Sequence, residues 1–285
     1  MTRKSLFHFA LVGLLWGIPY LLMKVAVEDF PPAAVVAGRT LIGASILIPI
    51  AIYRKKFGGA VLGFKYVAFY ALMEMIGPWI LITTAEQKIN SGLAGLLVST
   101  VPIFATIITS LRGDHSVWEF KRIFGIVVGF IGLILVVGIE SLSGNSDPLS
   151  IAMVIVASMG YAYAVIMVTS NLPLVDGIAI NGLAMAITSV FWAPVAIAQW
   201  PSSISMNSAL SLLALGVFST AFAFILFFKV MAEIGPARSS LVTYLNTAIA
   251  VLLGVIILRE PLTIGIIVGL PLVLDGSYLA SRKTV

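Results

Sequence analysis

Residues 233–263 decide how this chain is read: Glu-Ile-Gly-Pro-Ala-Arg-Ser-Ser-Leu-Val-Thr-Tyr-Leu-Asn-Thr (233–247), an apolar run, then Leu-Arg-Glu-Pro-Leu-Thr (258–263). They spell one membrane helix with both ends written out. Gly235-Pro236 makes a turn, and Pro236 sits where a helix entrance tolerates a missing N–H. Ser239 to Leu258 is twenty residues without a charge, the length needed to cross about 30 Å of hydrocarbon. Arg259-Glu260-Pro261 stops the run, with Pro261 expected to open the next helix. A related pattern lies upstream. Ala85-Glu86 is followed by Ile89-Asn90-Ser91-Gly92 and an apolar run containing Pro102. With Ile89 set on Ile234, Leu96 falls on Leu241 and Ala105 on Ala250.

Outward from this stretch the pattern repeats. The chain has 285 residues, 60% hydrophobic and 10% charged, with a mean hydropathy of +1.11. Soluble domains are far more polar, so the sequence reads as an all-α, polytopic membrane protein. Ten spans emerge, at 6–26, 33–53, 66–85, 91–111, 123–139, 149–169, 178–198, 208–228, 239–258 and 262–281, joined by short connections. The first follows Arg3-Lys4 without a small-residue cleavage site and is expected to be a retained helix. Cysteine is absent, which excludes disulfides and thiolate metal sites. The net charge of +5 is scattered over short loops, a topology signal and not a nucleic-acid face.

With the N-terminus placed in the cytoplasm, Arg3, Lys4, Arg54, Lys55, Lys56, Lys65, Arg112, Lys121, Arg122, Lys229, Arg238, Arg282 and Lys283 fall on that side. These are thirteen of the 17 Lys and Arg. Only Lys24, Lys88 and Arg259 fall outside, and Arg39 lies within a span. That asymmetry is what the positive-inside rule demands. Both termini are therefore expected in the cytoplasm of a bacterial-type inner membrane. The ten spans divide at Gly144-Asn145-Ser146-Asp147-Pro148 into 1–145 and 146–285. Five spans per half make the second half enter the bilayer in the opposite sense, the inverted repeat of many secondary transporters. Trp16-Gly17 with Tyr20 is echoed by Met159-Gly160 with Tyr163, and Gly125-x-x-x-Gly129 by Gly265-x-x-x-Gly269.

Trp16-Gly17, Arg39 early in the second span and the closing Glu260-Pro261-Leu262-Thr263 resemble the drug/metabolite transporter superfamily, EamA type, over the whole chain. Within it the chain is most similar to bacterial exporters of aromatic and other hydrophobic amino acids. The resemblance implies ten helices, alternating access around a central midplane cavity, small-molecule cargo and no cofactor. The sequence departs from the pattern at Asn246-Thr247, where a proline is expected, and at Asp114-His115, where a Glu is expected.

The candidate site residues are those a bilayer would not bury without reason. Arg39 lies about 12 Å below the outer edge of span two at ~1.5 Å per residue, and Glu74 sits at comparable depth in span three. An unpaired charge there costs at least ~2.5–3.5 kcal/mol, so both are expected to face the protein interior, either as a pair that positions the helices, or with Arg39 attracting a substrate carboxylate or Glu74 titrating. Lys24, at the end of span one, is read as snorkelling outward. Prolines 19, 49, 78, 102, 194 and 271 fall inside apolar spans, tolerated where neighbouring helices or a cavity satisfy the freed carbonyls. Trp16, Tyr20, Trp79, Tyr161, Tyr163 and Tyr244 are candidates to line a pocket for flat side chains, with Tyr20 and Tyr163 expected to converge. Trp118, Trp192 and Trp200 are assigned to interfacial belts. Ser240, Thr243, Tyr244 and Thr247, with Asn246, form a polar stripe on span nine, and Ser99 a weaker partner on span four. These either bind an amino-acid zwitterion or join helices. No metal-ligand or phosphate-cradling motif occurs, and Asp114-His115 is too little for a catalytic base. The expectation is a transporter and not an enzyme. A carrier of nucleotide sugars, vitamins or drugs, or a helical scaffold or lipid-flipping subunit, remains as an alternative.

Overall fold

A computed structural model describes residues 2–113, 119–142, 147–235, 239 and 241–281. Among these, every regular element is a helix and no strand occurs. In chain order they are α1 (Arg3–Ala26), α2 (Pro32–Tyr53), the short α3 (Phe57–Leu62), α4 (Phe64–Ala85), α5 (Ser91–Leu111), α6 (Phe120–Leu142), α7 (Pro148–Asn171), α8 (Gly177–Ala198), α9 (Met206–Ile234), α10 (Val242–Ile256) and α11 (Ile264–Ser281). Seven of them, α1, α2, α4, α5, α7, α8 and α9, are long and apolar enough to cross a membrane. The apolar helices α6, α10 and α11 accompany them. Large side chains such as Leu41, Ile134 and Val190 are 61%, 65% and 74% exposed. An apolar exterior of this kind suits lipid, where no water competes for the surface.

The helix ends follow local chemistry. Asp147 precedes Pro148, and its carboxylate accepts the Ser150 N–H at 3.0 Å and hydroxyl at 2.7 Å. These bonds from Ser150 hold the Asp147 carboxyl below the usual carboxylate range, as expected for a helix N-cap. Asp29, in the loop after α1, accepts the Ser205 N–H at 2.9 Å, tying that loop to the start of α9. The last helix starts later than expected. Pro261 lies in an extended linker, and α11 begins at Ile264, where Thr263 Oγ1 accepts the Ile266 N–H. A side-chain oxygen that satisfies an orphan N–H decides that start. The expected turn at Pro236 and the break at Gly144-Asn145-Ser146 lie outside the described residues, as do Asp114-His115, Trp118 and Ser240.

Two helices widen into π turns, Leu72–Ile76 in α4 and Leu215–Phe222 in α9. Pro78 follows the first; lacking an N–H, it cannot close the α-helical bond to the carbonyl of Glu74. Gly160 of α7 nests there, since a Cβ would sit 2.8 Å from the Met73 carbonyl oxygen. Trp192, expected in an interfacial belt, instead donates its indole N–H to the Ile76 carbonyl at 3.1 Å.

Packing joins the early helices to the late ones. α2 lies along α8, and α6 along α11. α1 packs on α10 and α5 on α7, α4 on α7 and α1 on α9, α2 on α9 and α4 on α8. α6 and α11 meet backbone to backbone: a Cβ on Gly276 would fall 2.5 Å from Gly129 Cα. Close approach through small residues is the usual way helices associate without a hydrophobic drive.

Candidate functional site

Arg39 of α2 is 6% exposed and reaches between α1, α4 and α9. Its Nη2 and Nε donate to Thr220 Oγ1 at 3.1 and 3.3 Å, and Nη1 points at Met23 Sδ at 3.5 Å. The guanidinium carbon lies 3.9 Å above the Trp79 ring centroid, a cation–π geometry. Thr220 is delivered by the π turn of α9, and Trp79 follows the π turn and Pro78 of α4. Such turns recur at functional positions because they displace side chains from the helical register. Met23 also accepts from Thr83 Oγ1 at 3.5 Å, closing the group from the α4 side.

The expected Arg39–Glu74 pair does not form. No carboxylate among the described residues pairs with Arg39; carboxylates are met elsewhere, as where His8 Nδ1 lies 3.2 Å from Glu233 Oε2 and Lys88 Nζ 3.8 Å from Asp147 Oδ2. Depth alone suggests Glu74, which stands in the π turn of α4 with its Oε2 buried and without a hydrogen-bond partner. Tyr20 and Tyr161 lie within Coulombic reach of Arg39, and Tyr161 packs against both large apolar clusters of the interior. Tyr20, Trp79, Tyr161 and Arg39 are thus brought together.

The remaining candidates lie elsewhere. Trp16 packs on Phe224 and Phe227, at 5.6 and 4.6 Å between centroids, in a separate cluster between α1 and α9. Tyr163 is 39% exposed, edge-on to Phe69, and does not converge with Tyr20. Residues two apart on a helix point about 200° apart, so Tyr161 and Tyr163 cannot both face inward. Ser99 donates to Leu96 O, and its own carbonyl accepts the Ser277 hydroxyl of α11 at 2.9 Å. Thr247 Oγ1 donates to Thr243 O and reaches toward Gly95 O of α5, with Asn246 Oδ1 beside it. Tyr244 stands edge-on to Tyr278. The polar stripe of span nine therefore joins α10 to α5 and α11.

Three charged groups near one end of the bundle complete the picture. Lys24 does not simply snorkel: its Nζ donates to the carbonyls of Glu86 at 2.6 Å and Ile89 at 2.8 Å. Glu260 folds back over Gly254 after a left-handed Arg259 (φ 56°). It accepts the Ser91 N–H and hydroxyl, each at 2.8 Å, and the Gly92 N–H at 3.3 Å. It thereby caps the N-terminus of α5 from the far half of the sequence. Glu86 is fully buried, and neither carboxylate oxygen has a hydrogen-bond partner. A cavity of about 210 Å³ lined by Lys24, Val27, Glu28, Glu86 and Gln87 lies at this place. A wider one of about 310 Å³, with Phe7, His8, Phe222 and Lys229 in its wall, lies between α1 and α9.

Apolar helices of spanning length, packed around sealed charges, define a multi-pass helical membrane protein, and comparison with known proteins gives its kind. The profile of the EamA-like transporter family matches twice, over residues 3–138 and 148–282. The chain belongs to the EamA-like transporter family and is a membrane transporter of the drug/metabolite superfamily, EamA type. It is 28% identical to the uncharacterized transporter YoaV of Bacillus subtilis strain 168, over 94% of this chain and 93% of that one. It is 26% identical to the uncharacterized inner membrane transporter YedA of Escherichia coli K12, over 95% and 91%. With protein PagO of Salmonella typhimurium LT2 it shares 28% identity over 85% and 81%. A solved crystal structure superposes on 99% of this chain and 98% of its own with a TM-score of 0.65 at 15% identity, a likeness of fold alone.

Proposed function

We propose that this transporter exports small amphipathic metabolites, best fitted by aromatic and other hydrophobic amino acids, by alternating access between two inverted five-helix repeats, 1–145 and 146–285. The observation that carries the substrate class is Arg39. A buried guanidinium without a carboxylate partner among the described residues, stacked on Trp79 beside Tyr20 and Tyr161, is complementary to a carboxylate attached to a flat apolar group. The repeat is supported by the double family match, and by helix pairings that recur with the halves exchanged. In those pairings α1 and α7 trade places, as do α2 and α8, α4 and α9, α5 and α10. The excess of Lys and Arg on one side supports cytoplasmic termini. The Arg39 group is sealed in this structure, so substrate entry requires the helices around it to part.

Reconstitution in liposomes tests the reading. Purified protein should move labelled phenylalanine, and Arg39→Lys, which keeps the charge but loses the planar fork and the stack, should cut transport about ten- to a hundredfold. Trp79→Ala should weaken phenylalanine transport two- to tenfold more than alanine transport, from about 0.5–1.5 kcal/mol of ring contact. Tyr163→Ala, on the outer face, should leave that selectivity unchanged. Equal losses for both substrates in Trp79→Ala would make the ring a packing element and sink the aromatic preference.

A further inference from the structure

Glu86 is the one carboxylate among the described residues that is buried with both oxygens unpartnered. It is the first residue beyond α4, packed beneath the turn that Lys24 clamps. The charged and titratable groups that face it are Lys24 of α1, Glu260 of the α10–α11 linker, Arg39 of α2 and Tyr20 of α1. Glu28 shares its cavity. None of these donates a hydrogen bond to the carboxylate, and Lys24 spends its protons on backbone carbonyls instead of forming an ion pair. An ionised carboxylate in such a place has neither solvent nor donors, so the arrangement as seen suits the neutral acid. The ammonium that could balance the ionised form is already at hand on the same turn. Only Lys24 needs to move, from the carbonyls of Glu86 and Ile89 to the Glu86 carboxylate.

We propose that Glu86 binds the proton exchanged during transport, with Lys24 alternating between the 86–89 carbonyls and the ionised Glu86 side chain. This rests on the transporter reading above and adds the coupling ion and its site. The step balances simply. A proton from the aqueous phase at that end joins one carboxylate oxygen, and its release leaves the charge that recruits Lys24. That recruitment frees the 86–89 turn from the end of α1, loosening the junction of α1, α4 and α5 beside the Arg39 group. A metal cation fits the place poorly. It wants a shell of oxygen ligands, and the described residues hold no cluster of three or more acidic or imidazole ligands. The neighbouring ammonium also repels it.

Two measurements test the proposal, and they separate its failure from failure of the substrate assignment. Infrared difference spectra of the purified protein, stepped in pH, should show the C=O stretch of a buried carboxylic acid. Glu74 is a second buried acid, so the band should be diminished in Glu86→Gln, keep its Glu86 component in Glu74→Gln and shift in Glu86→Asp. In liposomes, an imposed pH gradient should drive net phenylalanine movement by the unaltered protein. Glu86→Gln should lose that response while still exchanging labelled for unlabelled phenylalanine. An acid band that persists undiminished in Glu86→Gln, or a gradient response that survives it, overturns the proposal. Should phenylalanine not move at all, the substrate assignment falls, and the infrared band alone decides whether Glu86 holds the proton.

Discussion

Glu260 and Glu86 lie at the same end of the bundle, near enough to feel each other's charge, yet their surroundings are opposite. Glu260 meets two backbone N–H groups and a hydroxyl at a helix N-terminus, where the unpaired amides of the first turn and the helix dipole both favour an anion. Its charge is satisfied, and what it does is hold the linker before α11 to the start of α5. Glu86 is more deeply buried and meets no donor. A carboxylate held by several donors is a structural joint, because removing the acceptor would break the joint. One left without donors can gain or lose a proton without breaking anything except its relation to Lys24. The two therefore separate holding from switching, and substitutions should affect them in different currencies: stability for Glu260, response to pH for Glu86.

The largest effect on stability is expected at Glu260. Glu260→Ala removes an acceptor from three donors, two of them backbone amides of α5 with no intrahelical partner. Hydrogen bonds to a charged group contribute about 1.5–3 kcal/mol each, and a lost N-cap costs about 0.5–2 kcal/mol. Bonds sharing one site do not add, so a loss of about 2–4 kcal/mol is the expectation, read as a lower midpoint of thermal unfolding in detergent. Glu260→Gln should recover part of it, since the amide oxygen still accepts but without charge. If Glu260→Ala were as stable as the parent, the cap would be incidental and the contrast with Glu86 would collapse.

A smaller effect is expected at Lys24. Lys24→Met keeps the length of the side chain and its apolar stem but removes the bonds to the carbonyls of Glu86 and Ile89. The turn keeps its own backbone bonds, Lys88 N–H to Ala85 O and Ile89 N–H to Ala85 O, so it does not unravel. A loss of about 1–2 kcal/mol follows from replacing one charged donor. The variant also strips Glu86 of the cation that stabilises its ionised form. The acid band in the infrared should then resist deprotonation to higher pH than in the parent; a band that titrates unchanged would show that Lys24 is only a staple.

How much of this was legible beforehand depended on what the residues had to avoid. Helices α2, α4, α5 and α8 fall within a few residues of their expected bounds, because twenty-residue apolar runs between turn residues admit little else. Burial of Arg39 was legible for the same reason, since a charge in lipid must face inward. Its partners were not. Thr220 is 181 residues away on a π turn, and a threonine in an apolar span announces nothing. Depth pointed to Glu74, but a π turn changes which residues share a face and hydropathy does not register it. Glu86 does not stand out in the sequence, because a charge just past a span ordinarily meets water. What buries it is the convergence of Lys24, the 89–91 turn and the linker at Glu260, three segments far apart in sequence. The echo of Tyr20 at Tyr163 suggests convergence, whereas residues i and i+2 of one helix diverge, and Tyr163 stands 39% exposed beside Phe69.

The smallest effect on stability, and the sharpest form of the contrast, is expected for Glu86→Gln. In the structure the carboxyl accepts nothing and Lys24 is engaged elsewhere. Glutamine has almost the same volume and is neutral, as the buried acid is when protonated, so it replaces one unpartnered neutral group by another. A side chain of the same size opens no void, and the Lys24 bonds run to backbone carbonyls that the substitution leaves in place. At about pH 4 and below, where the acid is neutral in both the folded and the unfolded chain, the unfolding midpoint should therefore move by less than the equivalent of about 1 kcal/mol. The same chemical change at Glu260 gives up the charge in three bonds. A second reading comes from varying pH. Ionising Glu86 in its buried site opposes the arrangement seen here, so the parent should lose stability as pH rises through its titration, and Glu86→Gln should remove that slope. If Glu86→Gln instead destabilised as strongly as Glu260→Gln at every pH, Glu86 would be a structural anchor, and the division between the holding and the switching carboxylate would fail.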